Sequence, residues 1–305
     1  MKNEEAPMYF LRYEHKNTIH LGFMDRRQEK ILPFDLFPET IGLTDMNTLI
    51  EKFSDSLYLD MKSLLGKHSS SALSLEDVRV LTPIPYTKRN IFCLGKNYMD
   101  HIQEMKHVTN VSGNIPKHPI YFSKSCFPAI GPDETVIVDK NVTNFVDYEV
   151  ELAIIIGKTG INISMEKAYD FIFGYTIAND FSARDLQTKH TQWLKGKTLD
   201  TFSALGPFVL HHSSVKKPVD LAIESYVNGE LRQSARTSQL IFDIPTIISD
   251  LSKGLTLHPG DIILTGTPAG VGMGFNPPKP LKNGDLVTCK IESLGSLSNR
   301  IREVL

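Results

Sequence analysis

Apolar residues recur along this chain mostly in short runs with strand-like alternation, and in only a few places with a helical period. Near the start, M-Y-F-L-R-Y, T-I-H-L-G-F-M and K-I-L-P read as short strands separated by turns. Leu49, Ile50, Phe53, Leu57, Met61 and Leu64 then follow at roughly helical spacing and predict a helical stretch. The polar, serine-rich run K-H-S-S-S-A-L-S at residues 67–74 is the best boundary signal. It divides a small N-terminal domain, residues 1–80, from a larger one, residues 81–305.

The larger domain reads as predominantly β. Strands are predicted at N-I-F-C-L-G, P-I-Y-F-S-K, V-D-Y-E-V-E-L-A-I-I-I-G, G-Y-T-I-A-N-D, P-F-V-L, D-I-I-L-T-G-T and D-L-V-T-C-K-I. Asn228-Gly229, set between apolar alternations, predicts a hairpin turn. Two helices are expected here. One starts near Ser164 and carries Ala168, Phe171 and Ile172. The other has Pro245 in its first turn and Ile244, Ile247, Ile248 and Leu251 on one face. The stretch at residues 105–118 is polar and irregular and predicts a loop.

Three carboxylates interrupt this apolar pattern. Glu149 and Glu151 share one face of their run, because side chains alternate across a strand. Asp180 ends a second apolar run. Two readings stay open from the residues alone. One is a solvent face shared with Asp147. The other is an oxygen-only site for a hard divalent cation such as Mg²⁺ or Mn²⁺. The continuation A-I-I-I favours burial, where a carboxylate is costly unless compensated.

Other groups surround this idea. In G-K-N-Y-M-D-H-I-Q-E-M, Asp100 is placed to cap a short helix that sets His101 and Glu104 side by side at i and i+3. A carboxylate that orients an imidazole suits proton transfer; a surface pair of no consequence is the alternative. Arg184 and Gln187 follow Asp180 at i+4 and i+7 and would share its face if that turn is helical. Lys195 and Lys197 add cations, fitting an anionic, oxygen-rich substrate, against the plainer reading of a charged surface helix. The segment L-T-G-T-P-A-G-V-G-M-G has neither P-loop nor dinucleotide spacing. Its backbone N–H groups, with Thr265 and Thr267, could bind an anion or simply make a tight turn.

Composition narrows the classes. A net charge of −2 gives no case for nucleic acid, and no apolar run reaches the ~20 residues of a membrane span. Cys93, Cys126 and Cys289 form no metal or disulfide pattern, and the start has no signal-peptide core. A cytoplasmic protein with reduced thiols is expected.

Taken in order, the motifs N-Y-x-D-H-x-x-E, Y-F-S-K-S, D-Y-E-V-E-L-A, N-D-x-x-A-R-D-x-Q, G-K-T-L-D-T-F, V-N-G-E-L-R-Q and G-D-I-I-L-T-G-T-P-A-G-V-G resemble the fumarylacetoacetate hydrolase family over residues 83–305. The resemblance implies an α+β, predominantly β fold: a mixed β-sandwich roll, with a small N-terminal accessory domain and usually a homodimer. It places Glu149, Glu151 and Asp180 on the Mg²⁺ or Mn²⁺ ligands, His101 and Glu104 on a catalytic dyad carried by a lid, and Lys197 on the active-site lysine. Arg184, Gln187 and Thr267 match substrate-pocket positions. The region C-L-G-K-N-Y lacks the fourth aspartate of true fumarylacetoacetate hydrolases.

The tail is most similar to bacterial members that decarboxylate oxaloacetate. The resemblance therefore implies a metal-dependent enzyme that cleaves a C–C bond of a small 2-oxo acid through an enolate, by oxaloacetate decarboxylation or acylpyruvate hydrolysis. Alternatives are a 2-hydroxyhepta-2,4-diene-1,7-dioate isomerase and a non-catalytic member that binds a dicarboxylate or a protein.

Overall fold

The structure, a computed structural model, describes residues 7–25, 29–65, 71–106 and 115–305. Among these, eleven strands form one sheet. Its order is Leu73–Ser74, Lys30–Pro33, Thr18–Asp25, Tyr9–His15, Ser203–His211, Ile172–Asp180, Val150–Ile156, Ile262–Leu264, Ile91–Gly95 and Ile120–Lys124; Arg79–Leu81 also pairs with Tyr9–His15. A second sheet runs Glu230–Arg236, Ala222–Val227, Leu286–Ile291, Gly295–Val304 and Thr135–Asp139. Both sheets are mixed, with one parallel pair each. The Asn228-Gly229 turn has φ of +52° and +84°, the pattern a two-residue hairpin loop requires.

Strand Val150–Ile156 is buried along its whole length. Its alternation feeds two cores. Leu152, Ile154 and Ile156 pack toward the second sheet, with Ile223, Val287 and Ile301. Ala153 and Ile155 point the other way, toward Met46, Leu49, Ile50, Leu57 and Met61. Continuous burial explains why this run is apolar on both parities.

The N-terminal strands extend the same sheet, since Tyr9 and Phe10 pair with Leu210 and Val209. The helical stretch expected over residues 49–64 is two helices, Met46–Lys52 and Asp55–Leu64. Ser54 divides them, its Oγ accepting the N–H of Leu57 at 3.1 Å as an N-cap. Of the expected boundary at residues 67–74, residues 67–70 lie outside the described residues, and Leu73–Ser74 is a strand. The helix expected near Ser164 is a 3₁₀ helix, Met165–Phe171, and Ile172 begins the next strand. Helix Ile244–Leu251 forms as expected, with Asp243 as N-cap.

Among the described residues, no helix is long and apolar enough to cross a membrane. The three cysteines are free and buried.

Candidate active site

Glu149 lies just ahead of strand Val150–Ile156, Glu151 lies in it, and Asp180 ends the neighbouring strand Ile172–Asp180. Antiparallel pairing brings Val150 opposite Asn179, which puts the three carboxylates at one end of the two strands. Their ligand atoms lie within 4.8 Å of one another, and all three residues are buried. The solvent-face reading of Glu149 and Glu151 is therefore wrong: burial on both sides of the strand leaves no solvent face.

Three buried cations answer these charges. Lys197 Nζ donates to Glu149 Oε2 at 2.5 Å and to Asp180 Oδ2 at 2.9 Å. Lys124 Nζ donates to Asp180 Oδ1 at 2.5 Å and to the carbonyls of Phe181 and Phe202. Arg184 reaches Asp147 Oδ2 at 2.9 Å and Glu149 Oε1 at 2.7 Å. Burial pushes the Glu149 carboxyl up, but Lys197, Arg184 and His101 outweigh it and hold it at about 2. Burial works against the Lys197 ammonium, yet Asp180 and Glu149 raise its pKa. Glu151 is the exception. Burial, and then the charges of Asp180 and Glu149, push its carboxyl well above the usual range; its polar support is the Gly266 N–H at 2.5 Å.

This donor set fits a hard divalent cation. It consists of oxygen alone, and Glu151 is a carboxylate without a cation of its own, next to two others. Counting Asp147, four buried carboxyl groups face three buried cations, and a divalent ion would favour the ionised form of Glu151, which burial and its neighbours disfavour.

His101 and Glu104 lie on helix Met99–Lys106, which follows strand Ile91–Gly95. Asp100 sits inside the first turn of that helix rather than at its cap. The two side chains meet as the i, i+3 spacing predicts, with His101 Nδ1 to Glu104 Oε2 at 3.2 Å. Glu104 is held in turn by the Gly270 N–H at 2.9 Å. Engagement of Nδ1 leaves Nε2 for the cavity that His101 lines.

That cavity has a volume of about 320 Å³. Glu149, Glu151, His101, Arg184, Gln187, Lys197 and Thr267 all border it. Asp180 lies behind them, fully buried. Arg184 and Gln187 share helix Arg184–Lys189 and are joined at 3.0 Å, but Asp180 is on the strand before it, so the three do not form one helical face. Arg184 Nη2 is buried with no partner among the described residues. Lys195 is exposed and plays no part in the cluster.

The glycine-rich segment does present N–H groups to anions, but the anions belong to the chain. Gly266, Gly270 and Gly272 bond Glu151, Glu104 and Asp147 respectively, and Met273 adds a second bond to Asp147. The Thr265 and Thr267 hydroxyls donate to the carbonyls of Leu152 and Val150.

Three positioning residues carry no functional signal of their own in the sequence. Lys124 is a lone lysine ending an apolar strand, and that oddity was the available clue. Asn97 ties the turn before the dyad to the carbonyls of Phe242 and Thr265. Gln233 bonds the Val150 N–H and the Thr267 hydroxyl, fixing strand and glycine-rich segment together.

A family model described as fumarylacetoacetate (FAA) hydrolase C-terminal matches residues 90–302. Oxaloacetate tautomerase YisK of Bacillus subtilis is 51% identical over 228 residues, which span 75% of this chain and 74% of that protein. The solved fumarylacetoacetate hydrolase of Exiguobacterium antarcticum superposes with a TM-score of 0.81 at 36% identity, covering 97% of this chain and all of that one. A solved 2-hydroxyhepta-2,4-diene-1,7-dioate isomerase of Mycobacterium marinum gives 0.71 at 31% identity, covering 97% and 98%. On sequence and fold alike, this chain belongs to the fumarylacetoacetate hydrolase family.

Proposed function

We propose that the protein is an enzyme that interconverts the keto and enol forms of oxaloacetate, or of a closely related 2-oxo dicarboxylic acid, by moving a proton at C3. The observation that carries this reading is His101, oriented by Glu104, bordering the same cavity as Glu149 and Glu151. The likeness to a relative named oxaloacetate tautomerase supports the choice of substrate.

The residues divide the work. Nε2 of His101 takes the C3 proton of the keto form and gives it to the C2 oxygen to make the enol, the two transfers running in reverse from the enol, while Glu104 holds the ring and stabilises the imidazolium between them. Arg184, through its unpartnered Nη2, receives the C1 carboxylate, and Gln187 and Thr267 line the same wall. Lys197 keeps Glu149 ionised, bonds Asp180, and leaves one N–H for the oxygen that becomes negative as the proton departs. A Mg²⁺ or Mn²⁺ ion held by Glu149, Glu151 and Asp180 would supply Lewis-acid polarisation of the keto group. Carried over from the family resemblance, the reading includes a cytoplasmic homodimer.

C–C bond cleavage is the second reading. The same dyad favours it, because an imidazole placed to take a proton from carbon is also placed to take one from water. One experiment separates the two: following loss of the oxaloacetate enol absorbance and release of pyruvate side by side, with oxaloacetate and acetylpyruvate, in Mg²⁺ and in Mn²⁺. Rapid enol loss with little pyruvate supports tautomerisation. Pyruvate release at the faster rate would replace it with cleavage, and no change of either substrate would favour a binding protein.

A further inference from the structure

The motif Gly95-Lys96-Asn97-Tyr98 carries a cation that the reaction above leaves unused. Lys96 stands between strand Ile91–Gly95 and helix Met99–Lys106, at a φ of +56°. This left-handed conformation costs an L residue about 1 kcal/mol, and glycine would adopt it freely. The chain is clamped on both sides of it. A Cβ on Gly95 would come within 2.3 Å of the Trp193 ring, and Asn97 is fully buried and bonded to Phe242 and Thr265. The fold thus holds a lysine where backbone strain disfavours one.

Lys96 borders the cavity and is half-buried. No carboxylate pairs with it among the described residues. Burial lowers its pKa, with no neighbouring charge acting against that shift. Residues 107–114, which follow the dyad helix, contain no Asp or Glu to serve as a partner. The deeper cations, Arg184 and Lys197, are already bonded to carboxylates. Leu94, Ile102, Phe122 and Met273 supply apolar wall. A second carboxylate entering such a cavity would be left unpaired unless a cation met it there.

Building on the function proposed above, we propose that Lys96 is the specificity determinant for a dicarboxylate: its ammonium pairs with the distal carboxylate of a 2-oxo diacid whose 2-oxo end lies among Arg184, Lys197 and the acidic cluster. Selection follows from burial. A diacid without this partner keeps an unpaired charge, and a monoacid leaves Lys96 unpaired.

The test is calorimetric, on the full chain supplied with Mg²⁺. Three probes are titrated: 3,3-difluoro-oxaloacetate, which cannot enolise, oxalate, and pyruvate. Lys96→Met keeps the stem and removes the charge. It should weaken the difluoro diacid by about tenfold to a hundredfold and leave oxalate and pyruvate within about twofold. Lys96→Arg should restore most of the diacid affinity. Equal weakening of all three probes, or of none, overturns the assignment, as does a loss found in Lys106→Met instead. The two proposals fail separately. Discrimination without turnover of oxaloacetate would sink the tautomerase reading alone, and full turnover with unchanged KM in Lys96→Met would sink this one alone. Wild-type protein that binds none of the probes contradicts both.

Discussion

Lys124 Nζ lies 2.5 Å from Asp180 Oδ1, and neither side chain has any exposed surface. Asp180 thereby sits between two ammonium groups, since Lys197 holds its other oxygen. Such a pair is expensive to break, because the survivor stays buried with its charge. Lys124→Met should therefore destabilise the chelator-treated protein by about 3 kcal/mol in denaturant unfolding. Adding Asp180→Asn to it should recover part of the loss, giving a coupling above about 1 kcal/mol in a double-mutant cycle. Additive effects of the two substitutions would show that the pair is not energetically linked.

Glu151 bears the repulsion of the acidic cluster without a cation of its own. Glu151→Gln should raise the melting temperature in chelator by about 2 °C. In the wild type, saturating Mn²⁺ at a hundred times its dissociation constant should add about 2.7 kcal/mol of stability, and the variant should lose most of that gain. A wild type whose melting temperature ignores Mg²⁺ and Mn²⁺ would remove the metal site from the account.

Gly274 packs against the dyad so closely that a Cβ there would meet the Glu104 carboxyl at 2.1 Å. That carboxyl is the movable partner, so Gly274→Ala should displace it from His101 and the Gly270 N–H rather than unfold the chain. We expect kcat to fall on the order of tenfold to a hundredfold, with the melting temperature nearly unchanged. An unaltered kcat would mean that the orientation of His101 does not depend on Glu104.

His211 is buried among aromatic rings, stacked on Tyr58 at 4.7 Å and edge-on to Phe10 and Phe173. Burial, and then His212, pull its pKa from 6.5 to about 3. The folded pKa is below the unfolded one, so between these values the unfolded chain binds the extra proton. The contribution is complete above about pH 6.5 and is lost as pH falls toward 3, at up to about 1.4 kcal/mol per pH unit. Unfolding free energies measured from pH 7 to 4 should fall less steeply in His211→Phe than in the wild type. Parallel curves would assign the acid sensitivity elsewhere.

Much of the site was legible because its chemistry conflicts with its surroundings. Glu149, Glu151 and Asp180 are charges in apolar runs, and only a site or a surface explains such runs. The His101–Glu104 spacing worked because i and i+3 meet on any helix, whatever the position of its cap. Geometry that depends on where elements end was not legible. Arg184 and Gln187 were matched to Asp180 by helical spacing, yet a strand end and a short bridge separate them, and Arg184 reaches the cluster through Asp147 and Glu149 instead. The roles of Lys124 and Gln233 are not legible, because their partners lie 56 and 83 residues away and no local pattern encodes such pairings. The two N-terminal helices read as one because the apolar spacing continues across Ser54, whose capping role is a single-residue signal.

The proposed function rests on an oriented imidazole that moves a proton at C3 of a 2-oxo diacid. The most direct measurement is the rate of oxaloacetate enol disappearance in metal-supplied wild type and His101→Ala, with the Mn²⁺-induced melting shift recorded on the same samples. Rapid conversion by the wild type, a loss of about 10²–10⁴-fold in the variant, and an unchanged melting shift in both are expected. Undiminished conversion by His101→Ala, or a wild type no faster than buffer, would contradict that function.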